Sequence, residues 1–332
     1  MKVAVLFTRR DEMAKCYHDD WEGRDTNDDA FFLIDTIRKL GHQANPYYVD
    51  LDLFEKLRED KKNIDLAFNI CDDGFFSDPE LEPHVAAMLD ILEIPFTGGD
   101  YLTLALTLQK ARVKKILSYH KIDTPKFQLF RTKDEKIKNL KFPLIVKPEK
   151  EDASIGIKDE SVVKDEEELR KRAEVVLKEY QQPALVEEFI RGREFNVGFV
   201  GEEAMPVSEI RFDGLPDHKP KIVNYDAKWK TESIDYRKTN PRCPAEISKE
   251  LEKKLVKIAR RASRLFGCRD YFRVDFRVDK ENRPFVLEIN QNPDISRDAG
   301  LASMGKAKGY SYKGVIDKII KSACLRKDDN KE

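Results

Sequence analysis

The chain has 332 residues, with 61 Lys and Arg against 62 Asp and Glu, and charged residues make up 37% of it. That length suggests two or three domains with sizeable cores, and the near-zero net charge excludes a global field favouring nucleic acid or membrane, leaving a local basic cleft open. The charged fraction exceeds the roughly 25% typical of soluble proteins, which a thermophilic source and an ordinary Lys/Glu-rich surface explain equally well.

Cysteines Cys16, Cys71, Cys243, Cys268 and Cys324 are scattered, with no C-x-x-C pair, so neither a zinc site nor a disulfide framework is indicated. The opening MKVAVLF meets charged residues too early for a signal peptide and reads as a strand. No run approaches the roughly 18 apolar residues of a membrane span. A cytoplasmic, soluble protein is expected.

In chain order, Val3–Phe7 is a strand. Asp29–Leu40 is a helix stopped by Gly41. Ala44–Val49 and Leu66–Ile70 are strands, Pro83–Leu92 is a helix with Pro at its start, and Ile94–Thr97 is strand-like before the turn Gly98-Gly99-Asp100. This alternation implies a parallel sheet with crossovers. One helix is expected from Leu102 to Tyr119. A small α+β unit follows, with strands Lys126–Phe130, Leu144–Lys147, Gly156–Lys158 and Ala184–Glu188 around the helix Asp165–Tyr180. Beyond it, strands Glu194–Val200, Ala204–Arg211, Phe272–Val278 and Arg283–Asn290 read as antiparallel, with a helix over Pro244–Phe266. The tail from Arg326 is charged and expected to fray.

The strongest chemical signal is the hairpin formed by the last two strands. Arg273 and Asp275 share one face of their strand, and Glu288 and Asn290 share one face of theirs. With the turn centred near Glu281 and Asn282, all four point the same way. Two carboxylates and an amide oxygen suit Mg²⁺ held against phosphates, and the guanidinium suits charge on a transferred phosphoryl group. Cross-strand ion pairing on a solvated hairpin explains the same pattern equally well. Lys147-Pro148 before Glu151-Asp152-Ala153-Ser154-Ile155-Gly156 could serve phosphates through a lysine and backbone N–H groups, although most such loops are only turns. Leu185-Val186-Glu187-Glu188-Phe189-Ile190 could be a domain hinge. Lys110 alone is an ordinary helix lysine.

The order of these pieces resembles the D-alanine–D-alanine ligase-like branch of the ATP-grasp superfamily. The resemblance runs from about Phe68 to Ser296. It includes Ile94-Pro95-Phe96-Thr97-Gly98, Leu104-Ala105-Leu106 leading to Lys110, and Ile145-Val146-Lys147-Pro148. Ser154-Ile155-Gly156, Val186-Glu187-Glu188, Glu194-Phe195 and Tyr225-Asp226-Ala227-Lys228 continue it. Cys243-Pro244-Ala245, Arg273-Val274-Asp275 and Leu287-Glu288-Ile289-Asn290 complete it.

The resemblance implies a three-domain ATP-grasp fold of α/β and α+β parts: an N-terminal parallel α/β domain (1–109), a central subdomain (110–188), a C-terminal antiparallel subdomain (189–325) and a charged tail (326–332). It implies an ATP-dependent carboxylate–amine ligase acting through an acyl phosphate, on amino acid or peptide substrates, with no nucleic acid or membrane partner. Dimers are common in the family, so a homodimer is an option. Lys110 and Lys147 would contact phosphates under a loop around Ser154. Glu187 and the backbone of Glu188 and Ile190 would hold adenine, and Glu194 the ribose. Lys228 would reach the γ-phosphate and Arg273 would stabilise the acyl-transfer steps. Asp275, Glu288 and Asn290 would hold two Mg²⁺ ions, with Mn²⁺ as a substitute.

The substrate side departs from those ligases. Their glycine-rich first turn and its acid correspond to Thr8-Arg9-Arg10-Asp11-Glu12. Their second-strand histidine and glycine are replaced near Cys71-Asp72-Asp73-Gly74, and their Pro-Gly-Met by Pro293-Asp294-Ile295-Ser296. Asp152-Ala153 stands where they have Gly-Ser. The product is therefore expected to differ from D-alanyl-D-alanine. Asp294 is a candidate for binding the incoming amine, Ser296 a second substrate-side candidate, and a plain solvated acid is the competing explanation for Asp294. An ATP-grasp kinase acting on a hydroxyl and a catalytically silent ATP-binding module also stay open. Retention of Lys147, Arg273, Asp275, Glu288 and Asn290 argues against the silent module.

Overall fold

A computed structural model describes residues 1–9 and 26–329. Arg10, Asp11, Glu12 and Cys16 lie outside the described residues.

Strand β1 (Lys2–Phe7), helix α1 (Thr26–Lys39), β2 (Gln43–Tyr48), α2 (Leu53–Asp60) and β3 (Leu66–Asn69) build a parallel sheet of order β2-β1-β3. Helix α2 went unread in the sequence. Ile94–Thr97 contributes only a single parallel bridge, Ala67 to Phe96. Helices α3 (Glu82–Ile91), α4 (Tyr101–Leu108) and α5 (Lys110–Tyr119) follow. The single helix expected from Leu102 to Tyr119 is thus two. Gln109 sits between them at φ −86°, ψ 82°, outside the helical region, and Lys110 opens a new helix.

Next come β4 (Phe127–Phe130), β5 (Leu144–Pro148), β6 (Val162–Val163), α6 (Glu166–Glu179) and β7 (Ala184–Glu188). They form an antiparallel sheet of order β4-β7-β5-β6. Gly156–Lys158, expected as a strand, is not one; its place beside β5 is taken by β6. Leu144, Val146, Ala184 and Val186 alternate onto α6 and are fully buried. Lys147 and Glu187 lie on the opposite face, toward the cleft.

The third sheet contains β8 (Arg193–Val200), β9 (Glu203–Ala204), β10 (Ser208–Arg211), β11 (Asn240–Arg242), β12 (Tyr271–Val278) and β13 (Pro284–Asn290). Ala204–Arg211 is two strands rather than one. Short helices α7 (Tyr225–Trp229) and α8 (Ile234–Lys238) precede β11. Helix α9 (Lys249–Phe266) begins five residues later than Pro244, where Ser248 Oγ accepts the N–H of Leu251 at 3.2 Å, and ends at Gly267 with φ 71°. Leu251, Leu255, Ala259, Ala262 and Phe266 recur at helical spacing and bury against Phe195, Val197, Phe199, Val274 and Phe276. Each fully buried Leu or Phe contributes roughly 1.5–3 kcal/mol. The other face carries Glu194, Asn196, Arg273, Asp275 and Arg277, and at one end Val200 and Tyr271, which join the N-terminal core.

Helices α10 (Gly300–Ala307) and α11 (Tyr312–Asp329) return to the N-terminal sheet, and Ile316, Ile319 and Ile320 pack with Val3, Val5 and Phe7. The cores therefore cross the stretches read from sequence: α5 packs with the third sheet and α11 with the first. Arg326, expected to fray, is anchored. Its Nε donates to buried Asp270 Oδ1 at 3.0 Å and its guanidinium to Phe96 O at 2.8 Å.

Candidate active site

The polar face of the third sheet is set by period two. In β8 and β12, Asn196 stands opposite Asp275, and Glu194 opposite Arg277. Across the hairpin, Arg273 pairs with Asn290 and Asp275 with Glu288. The connection spans Asp279 to Arg283, so its centre lies half a residue earlier than the sequence reading placed it. Leu287, an extra residue bulged out of β13, restores the register and returns Glu288 to the face of Asp275. All four side chains share one face.

Arg273 donates to Asp275 through a fork, at 2.8 Å and 2.9 Å, and Asn196 donates to the same carboxylate at 2.7 Å. Burial pushes the Asp275 pKa up, and Arg273 only partly offsets it. The Arg273 guanidinium moves upward: burial lowers it, but Asp275 and Glu288 more than compensate. Glu288 makes no ion pair or hydrogen bond through its carboxylate among the described residues. Burial works against its charge, yet Lys110, Lys147, Lys228 and Arg273 hold its pKa down to about 2. Four cations from α5, β5, α7 and β12 thus converge on one carboxylate.

Lys110, at the first position of α5, reaches Asp152 Oδ1 at 2.8 Å and the carbonyl of Glu151. Burial lowers its pKa, and Asp152 with Glu288 turns the net shift upward. The loop it touches is held from the far side. Ser154 Oγ donates to Val223 O at 2.8 Å, and Trp229 Nε1 to Ala153 O at 2.9 Å. Ala153 and Ser154 both have positive φ. Lys228, on α7, stays accessible to solvent and has no ion pair among the described residues. The surrounding walls and then Arg273 lower its pKa.

Glu187 lies between two lysines, Lys114 at 2.7 Å from Oε1 and Lys147 at 3.1 Å from Oε2. Glu188 N–H is taken by Lys126 O, while Ile190 lies in the connection between β7 and β8. Glu194 pairs with Arg277 at 2.8 Å. Beside this connection is a cavity of about 730 Å³ lined by Phe189, Arg191, Gly192, Val162, His218, Lys219 and Arg277 among others. Asp294 Oδ1 accepts both the N–H and the Oγ of Ser296, at 2.8 Å and 2.6 Å. Thr8 and Cys71 are buried against each other at 3.2 Å.

Lys110, Lys147, Lys228, Glu194, Arg273, Asp275 and Glu288 are therefore close enough to act on one another's charge along a cleft between the second and third sheets. Asp294 and Ser296 sit at its far end beside Asp72 and Asp73, whose carboxyls feel Asp294. Sequence reasoning missed Lys114, Asn196 and Arg277. The spacing of Lys110 and Lys114, four apart on one helix face, was the available signal for the first. Arg277 continues the Arg273–Asp275 alternation by two. Among the described residues no three His, Cys, Asp or Glu side chains form a metal-holding set by themselves, and no helix is long and apolar enough to cross a membrane.

An antiparallel sheet closed over an α+β unit, with cations meeting at a carboxylate hairpin, is the ATP-grasp architecture of the D-alanine–D-alanine ligases. The family model described as the D-ala D-ala ligase C-terminus matches residues 114–321, so the chain belongs to that family and is an ATP-dependent carbon–nitrogen ligase. It is 33% identical over 289 residues to the D-alanine–D-alanine ligase of Aquifex aeolicus, covering 86% of this chain and 90% of that one. It is 34% identical over 243 residues to the uncharacterized protein y4sG of Sinorhizobium fredii, covering 73% of this chain and 70% of that one. The crystal structure of the Bacillus anthracis D-alanine–D-alanine ligase superposes with a TM-score of 0.76 at 25% identity, covering 99% of each chain.

Proposed function

We propose that this ligase activates a small carboxylic acid as an acyl phosphate and passes the acyl group to an amine, the pair being other than two D-alanines. The convergence of Lys110, Lys147, Lys228 and Arg273 on Glu288 carries the reading. It concentrates positive charge where a triphosphate would lie and leaves one carboxylate ionised for an accompanying cation.

In this reading Lys110 and Lys147 contact phosphates, the former at a helix N-terminus, with the Ser154 loop closing above them. Glu187 and the backbone of Glu188 and Ile190 hold adenine, Glu194 the ribose, and Lys228 the γ-phosphate. Asp275, Glu288 and Asn290 would hold Mg²⁺, as two ions, with Mn²⁺ able to substitute. The donor set fits, because Mg²⁺ takes one or two carboxylates and draws its other ligands from phosphate and water. Bound there it would neutralise phosphate charge. Arg273 stabilises charge on the transferred group. The carboxylate oxygen attacks the γ-phosphorus as the bond to ADP breaks. The neutral amine then attacks the acyl carbon and forms the C–N bond, the acyl C–O bond breaks with its electron pair and oxygen leaving on phosphate, and the amine nitrogen loses a proton.

The finer claim, a product other than D-alanyl-D-alanine, is supported by the substrate end. There Thr8 and Cys71 bond to one another, and Asp72, Asp73 and Asp294 make the wall acidic. An ADP-release screen with amino acid and dipeptide pools, D-alanine alone included, tests it by mass spectrometry of the product. ADP release with a pair other than D-alanine is expected. Efficient D-alanyl-D-alanine synthesis would overturn the finer claim, and phosphorylation of a hydroxyl would overturn the acyl-phosphate reading.

A further inference from the structure

We propose that Lys114 is a positioning residue: it remains as the counter-ion of Glu187 when Lys147 moves onto the phosphates, so that nucleotide binding does not strand a buried carboxylate. The inference rests on Lys147 being a phosphate ligand.

Lys114 is fully buried on α5, one turn beyond Lys110. Its Nζ donates to Thr124 Oγ1 at 2.8 Å, and Thr124 donates its own proton to Val286 O at 2.8 Å. Lys114 is thereby pinned to β13 and cannot follow a ligand. Its Nζ is 2.7 Å from Glu187 Oε1, and Lys147 is 3.1 Å from Oε2. Glu187 is itself 1% exposed. One buried carboxylate thus faces two cations where charge balance needs one. Burial lowers the Lys114 pKa to about 8, Glu187 opposes that shift, and Lys147 adds a smaller lowering.

With a single lysine, drawing Lys147 away would leave a buried, unpaired carboxylate, a strongly unfavourable state. With two, Lys147 is the mobile member and Lys114 the fixed one. Lys114 then acts on phosphate affinity through Glu187 without touching the nucleotide. A residue that only staples α5 to the sheets would affect packing and stability alone.

The test measures Kd for ATP and for adenosine in the full chain, in Lys114→Met, in Glu187→Gln and in the double variant. Lys114→Met should weaken ATP by about tenfold or more, the effect of roughly 1.4 kcal/mol, while adenosine, which needs no phosphate contact, changes little. Adding Glu187→Gln should return ATP affinity to that of Glu187→Gln alone. Equal losses for ATP and adenosine, or unchanged ATP binding, would overturn the inference. If Lys114→Met does not fold, the double variant, free of the unpaired charge, is compared with Glu187→Gln. Matching ATP affinities support the proposal and a deficit in the double variant overturns it. An unmodified protein that binds no ATP would overturn the functional reading, and this inference with it.

Discussion

The two ends of the cleft balance their charge in different ways. At the end proposed to hold the phosphates, acids meet lysines and arginines: Glu187 has Lys114 and Lys147, Asp152 has Lys110, Asp275 has Arg273, and Glu288 feels four cations. At the substrate end, Asp72, Asp73 and Asp294 have no lysine or arginine ion pair among the described residues. Asp72 stays accessible to solvent, yet the surrounding walls and then Asp73 and Asp294 push its pKa up, and the same walls and then Asp294 push Asp73 up to about 6. The first end is compensated by the chain itself, as a site for a fixed, highly charged co-substrate requires. The second leaves its charge for something else to balance, and it holds the positions at which the sequence leads us to expect a different substrate pair.

Breaking the compensated end should have the largest effect. Glu288→Gln should abolish turnover at ordinary Mg²⁺, because it removes a carboxylate that has no direct partner among the described residues and would be free to hold the cation. Circular dichroism should show the fold retained. Near-normal turnover by the folded variant would remove Glu288 from the site.

Next comes Arg273. Losing one preorganised donor costs about 10²–10³ in kcat, and Lys lacks the planar fork that reaches both oxygens of Asp275. Arg273→Lys should therefore be nearly as harmful to kcat as Arg273→Ala, with ATP Kd far less affected. Because the fork with Asp275 exists in the folded chain, some loss of Tm is also expected. A Lys variant with near-native kcat and lowered Tm would reduce Arg273 to a structural partner.

Asp152→Asn should have a smaller effect of opposite sign. The pair joins a buried Lys110 to a half-exposed Asp152, and a partly exposed pair is worth about 1 kcal/mol at most. Freeing Lys110 and removing a negative charge beside the phosphates should tighten ATP binding by no more than about fivefold. Weaker binding would mean that Asp152 helps to hold the nucleotide.

The smallest effect sharpens the uncompensated end. With its folded pKa raised to about 6, Asp73 binds more protons folded than unfolded across the range from its ordinary value upward. Stability from this group is complete below that range and is lost as pH rises through about 6. Asp73→Asn removes the loss, so it should raise Tm at pH 8 and bring no advantage at pH 4. A variant less stable at pH 8 would mean that Asp73 has a stabilising partner.

How far the sequence carried the account depends on which physics each feature uses. Strand alternation is local, so the shared face of Arg273, Asp275, Glu288 and Asn290 was readable, though the register depends on a bulge at Leu287 that no alternation reveals. The break at Gln109 was hidden, because Leu102–Tyr119 keeps an apolar pattern through it and Gln is a good helix former. That break places Lys110 at a helix start. Lys114 was unreadable as a buried residue, since a helix lysine is solvated by default and the opposite charge that makes its burial tolerable, Glu187, lies 73 positions away. The anchoring of Arg326 depends likewise on a distant partner, Asp270.

The central claim is that the cation-lined cleft transfers phosphate to a carboxylate oxygen rather than to a hydroxyl. Once a substrate pair is in hand, its carboxylic acid can be labelled with ¹⁸O in both oxygens and the released phosphate analysed by mass spectrometry. One ¹⁸O atom in each inorganic phosphate is the predicted result, because the oxygen that attacks the γ-phosphorus leaves with it when the amine displaces phosphate. Unlabelled phosphate, or ADP formed together with a stable phosphorylated product, would contradict the account.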